Sequence, residues 1–409
     1  MRKPFLGLLT LASAACAPVV EAPLASPATA NTVATTIDCP APLALSDAPA
    51  TPGQPRLIRA SAAMWTPPIP MPPPPPPGVS DFLRSNSAIY TLTGDSRFDG
   101  YVAKVLSEGG SGWHPYLIRL FAGARPNPAI LAEDEALRTP ADSAEYVRRI
   151  LTPGRIANGR RLYSELGRGP LSAAHPNVPP EIIIALWGVF SDYGTRPPCF
   201  DMMETFLNLG ACGRGPGWAY FDIYHAASLI LEGKVERSRA RAYGNGRIGQ
   251  VQALVHESGR LGADGDGDGR VDLWSNRADI FANLAPNDWE AGVPPIIEVE
   301  RPQFDPNDPA QARMLRALES RSGLGLQYFR RPGGGAWPAE WLRSGGRFVA
   351  PFGDSGPFFV LTRNFTPLNY KNHYVGRYAP LDDDHGFGVT ISLLADAIAG
   401  RPGPSRPIR

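Results

Sequence analysis

The chain has 409 residues, with 40 basic and 39 acidic side chains and a formal net charge of +1. That balance supplies no global field to draw in nucleic acid or an anionic membrane surface. The length holds one large or two medium domains, and many of the 45 prolines lie in one block near the front.

Arg2 and Lys3 precede an apolar run from Phe5 to Ala15, and Cys16 follows. A charged start, a short apolar core and small residues at the cut are the layout of an export signal. The run is too short to span a membrane. Ser13-Ala14-Ala15-Cys16 resembles a lipoprotein box, with Ser13 where Leu is preferred. This predicts a lipid on Cys16 and an outer-membrane anchor; a simple cleaved signal that discards Cys16 is the alternative. Residues 17–79 are rich in Ala, Pro and Thr and contain the run Pro72 to Pro77. Such a segment cannot bury enough apolar surface to offset its ordering entropy, so it is expected to be a disordered tether with a stiff polyproline end. The expected division is a signal over 1–16, this linker over 17–79, one globular body over 80–400 and a flexible tail over 401–409.

Of the four cysteines, Cys39 lies in the linker, while Cys199 and Cys212 flank one short segment of the body. An exported chain meets oxidising conditions, so Cys199 and Cys212 are predicted to pair as a local disulfide. No cysteine spacing resembles a zinc site.

From Ser80 to about Asn177 apolar residues recur three and four apart, as in Phe98, Tyr101, Val102 and Val105, which predicts helices. Leu151-Thr152-Pro153-Gly154 reads as a further helix start. Val178 to Gly194 then reads as a buried helix: Pro180 and Glu181 suit its first turn, Ile182 to Phe190 leaves almost no polar face, and Gly194 is placed to stop it. Tyr220 to Leu231 restores helical periodicity and Gly233 closes it. Arg347–Phe352 and Pro357–Thr362 read as a β-hairpin over a polar turn.

Pro180-Glu181, Ala185, Gly188, Ser191, Tyr193 and Gly194 together resemble the signature helix of the lytic murein transglycosylase B family. Asn158-Gly159-Arg160-Arg161-Leu162-Tyr163 resembles the family's segment just upstream. Gly246-Arg247-Ile248-Gly249-Gln250-Val251-Gln252 resembles its Gly-rich loop, and Asn372 falls at its cleft Asn. The resemblance implies an α+β, mainly α, lysozyme-like fold spanning most of Ser80 to Gly400. It also implies peptidoglycan as substrate. Gln252 and Asn372 would contact sugar, with Tyr193 offering an apolar face beside them.

The family's catalytic Glu, however, falls at Phe190. A lytic transglycosylase uses that one carboxyl as acid toward the leaving oxygen, then as base while the muramoyl 6-hydroxyl closes an anhydro ring. Such a group must be held protonated by an apolar pocket, and general acid–base catalysis contributes roughly 10²- to 10⁴-fold. Phe190 keeps the apolar character and lacks the proton. Asp192 lies about 200° around the helix and Glu181 about half a turn out of phase. Glu257, after the Gly-rich loop, is the candidate for a relocated acid. The sequence therefore favours a periplasmic protein that binds glycan strands without cutting them. The alternatives are an active transglycosylase using Glu257 and a non-enzymatic adaptor that recruits cell-wall enzymes.

Asp264-Gly265-Asp266-Gly267-Asp268-Gly269-Arg270-Val271-Asp272 fits an EF-hand-type loop by spacing. Asp264, Asp266 and Asp268 would give side-chain oxygens, Arg270 a carbonyl, and Asp272 a ligand directly or through water. Ser275 stands where a bidentate carboxylate belongs. The expectation is weak Ca²⁺ binding, with no cofactor required.

Overall fold

The computed structural model describes residues 90–137, 143–166, 171, 176–212, 216–255, 262–284, 289–300, 308–309, 326–351, 356–362, 364 and 384–408. The predicted signal and linker, with Cys16, lie outside them. No helix among the described residues is long and apolar enough to cross a membrane.

A central helix, Pro180–Ser191, runs through the main core, with only Pro180 and Val189 not fully buried. Its Ile, Leu, Trp and Phe side chains each gain about 1.5–3 kcal/mol on leaving water, so packing rather than propensity holds this helix in place. Three helices enclose it: Pro153–Leu166, Arg277–Leu284 and the C-terminal helix Asp384–Ala399. Helix Met202–Ala211 packs against both Ser96–Glu108 and Pro216–Leu231, and all three add side chains to the same core. Asp95 and Asp201 cap two of these by accepting from the first free amides, as short acidic side chains do at a helix start. The helix predicted from Pro153 and the one closed by Gly233 are both present.

The predicted hairpin is present as β4 (Gly345–Pro351) paired antiparallel with β5 (Phe358–Thr362). A third strand, β3 (Ile296–Val299), pairs with the other edge of β5, giving the order β3-β5-β4. On β5, Phe359 and Leu361 face the main core, while Phe358 and Val360 face a second, smaller one. Burial on both faces explains why this strand reads as a continuous apolar run rather than an alternating one. A two-residue pair, β1 (Phe200–Asp201) with β2 (Arg241–Ala242), ties the Gly-rich loop region to the helices.

Two expectations are corrected. The tail after residue 400 is anchored rather than loose. Arg401 bridges Glu181 (2.5 Å) and Asp396 (2.6 Å), the Ser405 amide donates to Glu298 (3.0 Å), and Ile408 packs against the main core. Nearness in sequence also misassigned the disulfide. Cys199 is disulfide-bonded while Cys212 is a thiol, so the local Cys199–Cys212 pair is not formed. Cys199 precedes β1, whereas Cys212 caps the far end of the next helix, Met202–Ala211, whose ten residues span about 15 Å. Iodoacetamide treatment of unreduced protein is expected to label Cys212 and spare Cys199 in peptide mass mapping. Label on Cys199, or its absence from Cys212, would contradict this arrangement.

Candidate functional site

The central helix ends in three successive left-handed residues, Asp192 (φ 50°), Tyr193 (φ 59°) and Gly194 (φ 82°). The stop thus begins two residues before the glycine that signalled it. Left-handed backbone at Asp192 and Tyr193 costs of order 1–3 kcal/mol each and persists only where the surroundings enforce it. Here they do: Arg155 pairs with the Asp192 carboxylate (3.2 Å), and the Tyr193 hydroxyl donates to the Arg155 carbonyl (2.9 Å). The Ser191 hydroxyl donates back to the Trp187 carbonyl (3.1 Å) and accepts from the Gly194 amide (3.0 Å).

Tyr193 is therefore a structural residue, not the sugar-facing aromatic expected of it. It is 5 % exposed, meets Trp187 edge to face, and lies in a notch where the backbone carries no Cβ at Gly159 and Gly188. A Cβ on Gly188 would come within 2.5 Å of its ring.

A buried amide joins this helix to the Gly-rich loop. Gln250 accepts from Trp187 Nε1 (2.7 Å) and donates through Nε2 to the Trp274 carbonyl (2.7 Å), while its backbone amide donates to the Leu273 carbonyl (2.8 Å). At 2 % exposure it has no access to a ligand. Gln252, two residues on, is half-buried and has φ 50°, and its Nε2 donates to the carbonyl of Phe190 (2.7 Å). The structure thus brings Gln252 against the main chain of Phe190. Asn372 and Glu257 lie outside the described residues.

Phe190 is 6 % exposed, and its ring stacks on Phe387 of the C-terminal helix (centroids 5.7 Å apart, planes 22° apart). Phe387 was not singled out in the sequence, because nothing in the local pattern Gly386-Phe387-Gly388 points at a residue nearly 200 positions away. Neither carboxylate at the ends of the central helix is placed to serve at Phe190. Glu181 stands nine residues back, about 14 Å along the axis, and is held by Arg401; Asp192 is held by Arg155.

The acidic loop packs against helix Arg277–Leu284. Asp264, Asp266 and Asp268 each offer an oxygen, and these atoms lie within 4.8 Å of one another. That spacing suits a cation with Ca–O distances of about 2.3–2.6 Å. Asp264 accepts from the Gly267 (2.6 Å) and Gly269 (2.7 Å) amides, and Asp266 accepts from Asn276 Nδ2 (2.8 Å). Arg270 is exposed. Asp272 departs from its expected role as a ligand: one oxygen accepts from Arg239 (2.8 Å) and the Ser275 hydroxyl (2.5 Å), the other from the Trp274 and Ser275 amides. It caps the turn instead. Beneath the loop, Asp279 is fully buried and accepts from the amides of Gly265 and Asp272 (both 2.7 Å). Burial pushes its carboxyl up to about 7 against the pull of those two amides, with the charges of Asp266 and Asp264 adding to the rise.

The family model of the transglycosylase SLT domain matches residues 109–375. No curated protein matches the sequence. Among solved structures, SltB3 from Pseudomonas aeruginosa in complex with NAG-NAM-pentapeptide superposes with a TM-score of 0.60 at 24 % identity, over 78 % of this chain and 83 % of that one. Soluble lytic transglycosylase SltB1 from the same organism gives 0.52 at 21 % identity, over 73 % and 98 %. Escherichia coli lytic transglycosylase Slt35 in complex with calcium gives 0.54 at 17 % identity, over 78 % and 97 %. The expected α+β, mainly helical, lysozyme-like fold is thereby established.

Replacing Gly188 by Ala tests the notch. Helix propensity alone favours Ala by about 1 kcal/mol, whereas a methyl forced against the locked Tyr193 ring costs about 1–3 kcal/mol. Urea unfolding of Gly188→Ala is expected to show a lower midpoint than the parent. An equal or higher midpoint would mean that the ring yields.

Proposed function

Because the chain belongs to the transglycosylase SLT domain family, we propose that it binds peptidoglycan glycan strands and does not cleave them. The finer placement is the B branch of the lytic murein transglycosylases, as an exported protein of the periplasm with Cys16 as the candidate lipid anchor. The single observation that carries the loss of activity is Phe190. It stands where the resemblance puts the family's acid, and its ring is covered by Phe387. A phenyl group has no proton to give the leaving oxygen, and the carboxylates at both helix ends are committed to arginines.

Glycan binding draws support from Gln252 beside Phe190. One of its amide hydrogens goes to the Phe190 carbonyl, and an amide group offers a second hydrogen and an acceptor that suit sugar hydroxyls. The SltB3 structure carries a NAG-NAM-pentapeptide, which identifies the class of ligand this fold accommodates. Incubation with purified sacculi is expected to give pelleting without release of anhydro-muropeptides above background, and Gln252→Ala and Asn372→Ala should each lower the pelleted fraction. Release that disappears in Glu257→Gln would overturn the reading and install Glu257 as the acid. Pelleting unchanged in both amide variants would turn the assignment toward an adaptor of cell-wall enzymes.

We also propose that the acidic loop holds calcium through Asp264, Asp266 and Asp268, a set whose oxygens converge. Bound calcium would offset the mutual repulsion of the three carboxylates and tie the loop to the helix that packs on Trp187. With Asp272 turned to Arg239, the carboxylate set is short of a high-affinity one. A ligand that binds only the folded state stabilises it by RT ln(1 + [L]/Kd). Millimolar calcium is therefore expected to raise Tm by a few degrees, and Asp266→Asn to blunt that rise. A Tm independent of calcium would leave the loop as a solvated turn.

A further inference from the structure

The second, smaller core lies on the side of β5 opposite Phe190, and apolar side chains stay open above it. Among the described residues three large hydrophobic side chains are exposed, and two of them, Tyr328 (49 %) and Leu342 (39 %), belong to this one segment. The short helix Ala339–Ser344 that carries Leu342 packs against the turn Leu326–Tyr328, so the two share one neighbourhood. Trp337 and Trp341 lie between, half-buried, with ring centroids 6.2 Å apart and planes 34° apart. Each indole N–H is already used, Trp337 on the Phe329 carbonyl (2.9 Å) and Trp341 on the Gly292 carbonyl (3.1 Å). Their polar edges are thus fixed against the protein, and what they leave open is apolar. Exposed apolar side chains grouped together and rimmed by polar residues are the kind of surface that can mark a binding site.

The charges around it select the occupant. Arg330, Arg331 and Arg343 are exposed on the same segment, against the carboxylates of Glu340 on that segment and Glu300 on the strand end beside Arg330; Arg331 also donates to the Ala336 carbonyl (3.3 Å). A glycan strand with peptide stems has the complementary chemistry: pyranose rings with apolar C–H faces that stack on aromatic rings, and stem carboxylates that pair with arginine. A wholly apolar partner would match the rings but bring Arg330 and Arg343 no carboxylate.

We propose that Tyr328, Trp337, Trp341 and Leu342, bordered by Arg330 and Arg343, form a second peptidoglycan-binding surface. It lies on the far side of the sheet from Phe190 and Gln252. Two contact regions on opposite sides of β5 would let a protein without a catalytic acid grip a strand, or two neighbouring strands, at separate points. This inference rests on the reading that the chain binds peptidoglycan.

The test compares the full-length parent, Gln252→Ala and the double variant Tyr328→Ala/Leu342→Ala, using purified sacculi and soluble NAG-NAM-pentapeptide as probes. Both residues of the double variant are exposed, so its thermal melt serves as a folding control. Loss of aromatic stacking is expected to weaken binding roughly tenfold, and to do so again in the Gln252→Ala background. Arg330→Ala/Arg343→Ala is expected to weaken binding to NAG-NAM-pentapeptide while leaving that to chitotetraose, which lacks stems, unchanged. If Tyr328→Ala/Leu342→Ala binds like the parent while Gln252→Ala fails, this surface is not a glycan site, although the first reading stands. If the parent itself does not pellet with sacculi, both readings fall. A change in oligomeric state of the double variant on gel filtration, at unaltered glycan affinity, would assign the surface to a second copy of the chain and overturn the proposal.

Discussion

The structure depends on one buried amide. Gln250 takes a hydrogen from the Trp187 indole and gives one to the Trp274 carbonyl, and it thereby joins the central helix, the Gly-rich loop and the end of the acidic loop in the core. Each bond contributes only about 1 kcal/mol net, but stranding either partner out of water would cost about 1–3 kcal/mol. The direction of the bonds therefore specifies where the loop sits. Gly194 belongs to the same constraint, since a side chain there would meet the Gln250 amide oxygen at 2.8 Å. The loop that places Gln252 beside the Phe190 carbonyl hangs on that fixture.

The proposed loss of the acid at Phe190 would be an exchange of one kind of local energy for another. A carboxyl in that position would be desolvated and would need its surroundings to hold a proton. A phenyl ring stacked on Phe387 needs nothing but contact. The same C-terminal helix sends Ile398 into the notch at Gly159 and, through Arg401, ties down the N-terminal end of the central helix. The last quarter of the chain thus holds the central helix at both ends.

The sheet has two unlike faces. Phe359 and Leu361 close the main core, while Phe358 and Val360 support a satellite core roofed by tryptophans whose polar edges are tied to the main chain. The central strand β5 is buried on both faces. It separates the aromatic surface above the satellite core from the loop around Gln252, so the two can serve as independent contact points.

The sequence by itself determined the central helix, the hairpin, the helix beginning at Pro153, the family resemblance and the clustering of three aspartates. Apart from the resemblance, which is carried by several separate segments, each of these rests on residues close together in the chain, where period, capping and spacing act locally. It did not determine that Tyr193 turns inward, because its contacts at Gly159 and Arg155 come from a separate helix. Nor did it reveal that Asp272 is claimed by Arg239, that Cys212 stands apart from Cys199, or that the tail is clamped by Glu181 and Glu298. Gln250 and Gln252 differ by two positions and look interchangeable in the sequence. Only the tertiary structure decides that one is a core fixture and the other an open amide, because burial depends on which distant elements close over a residue, and local pattern does not record that.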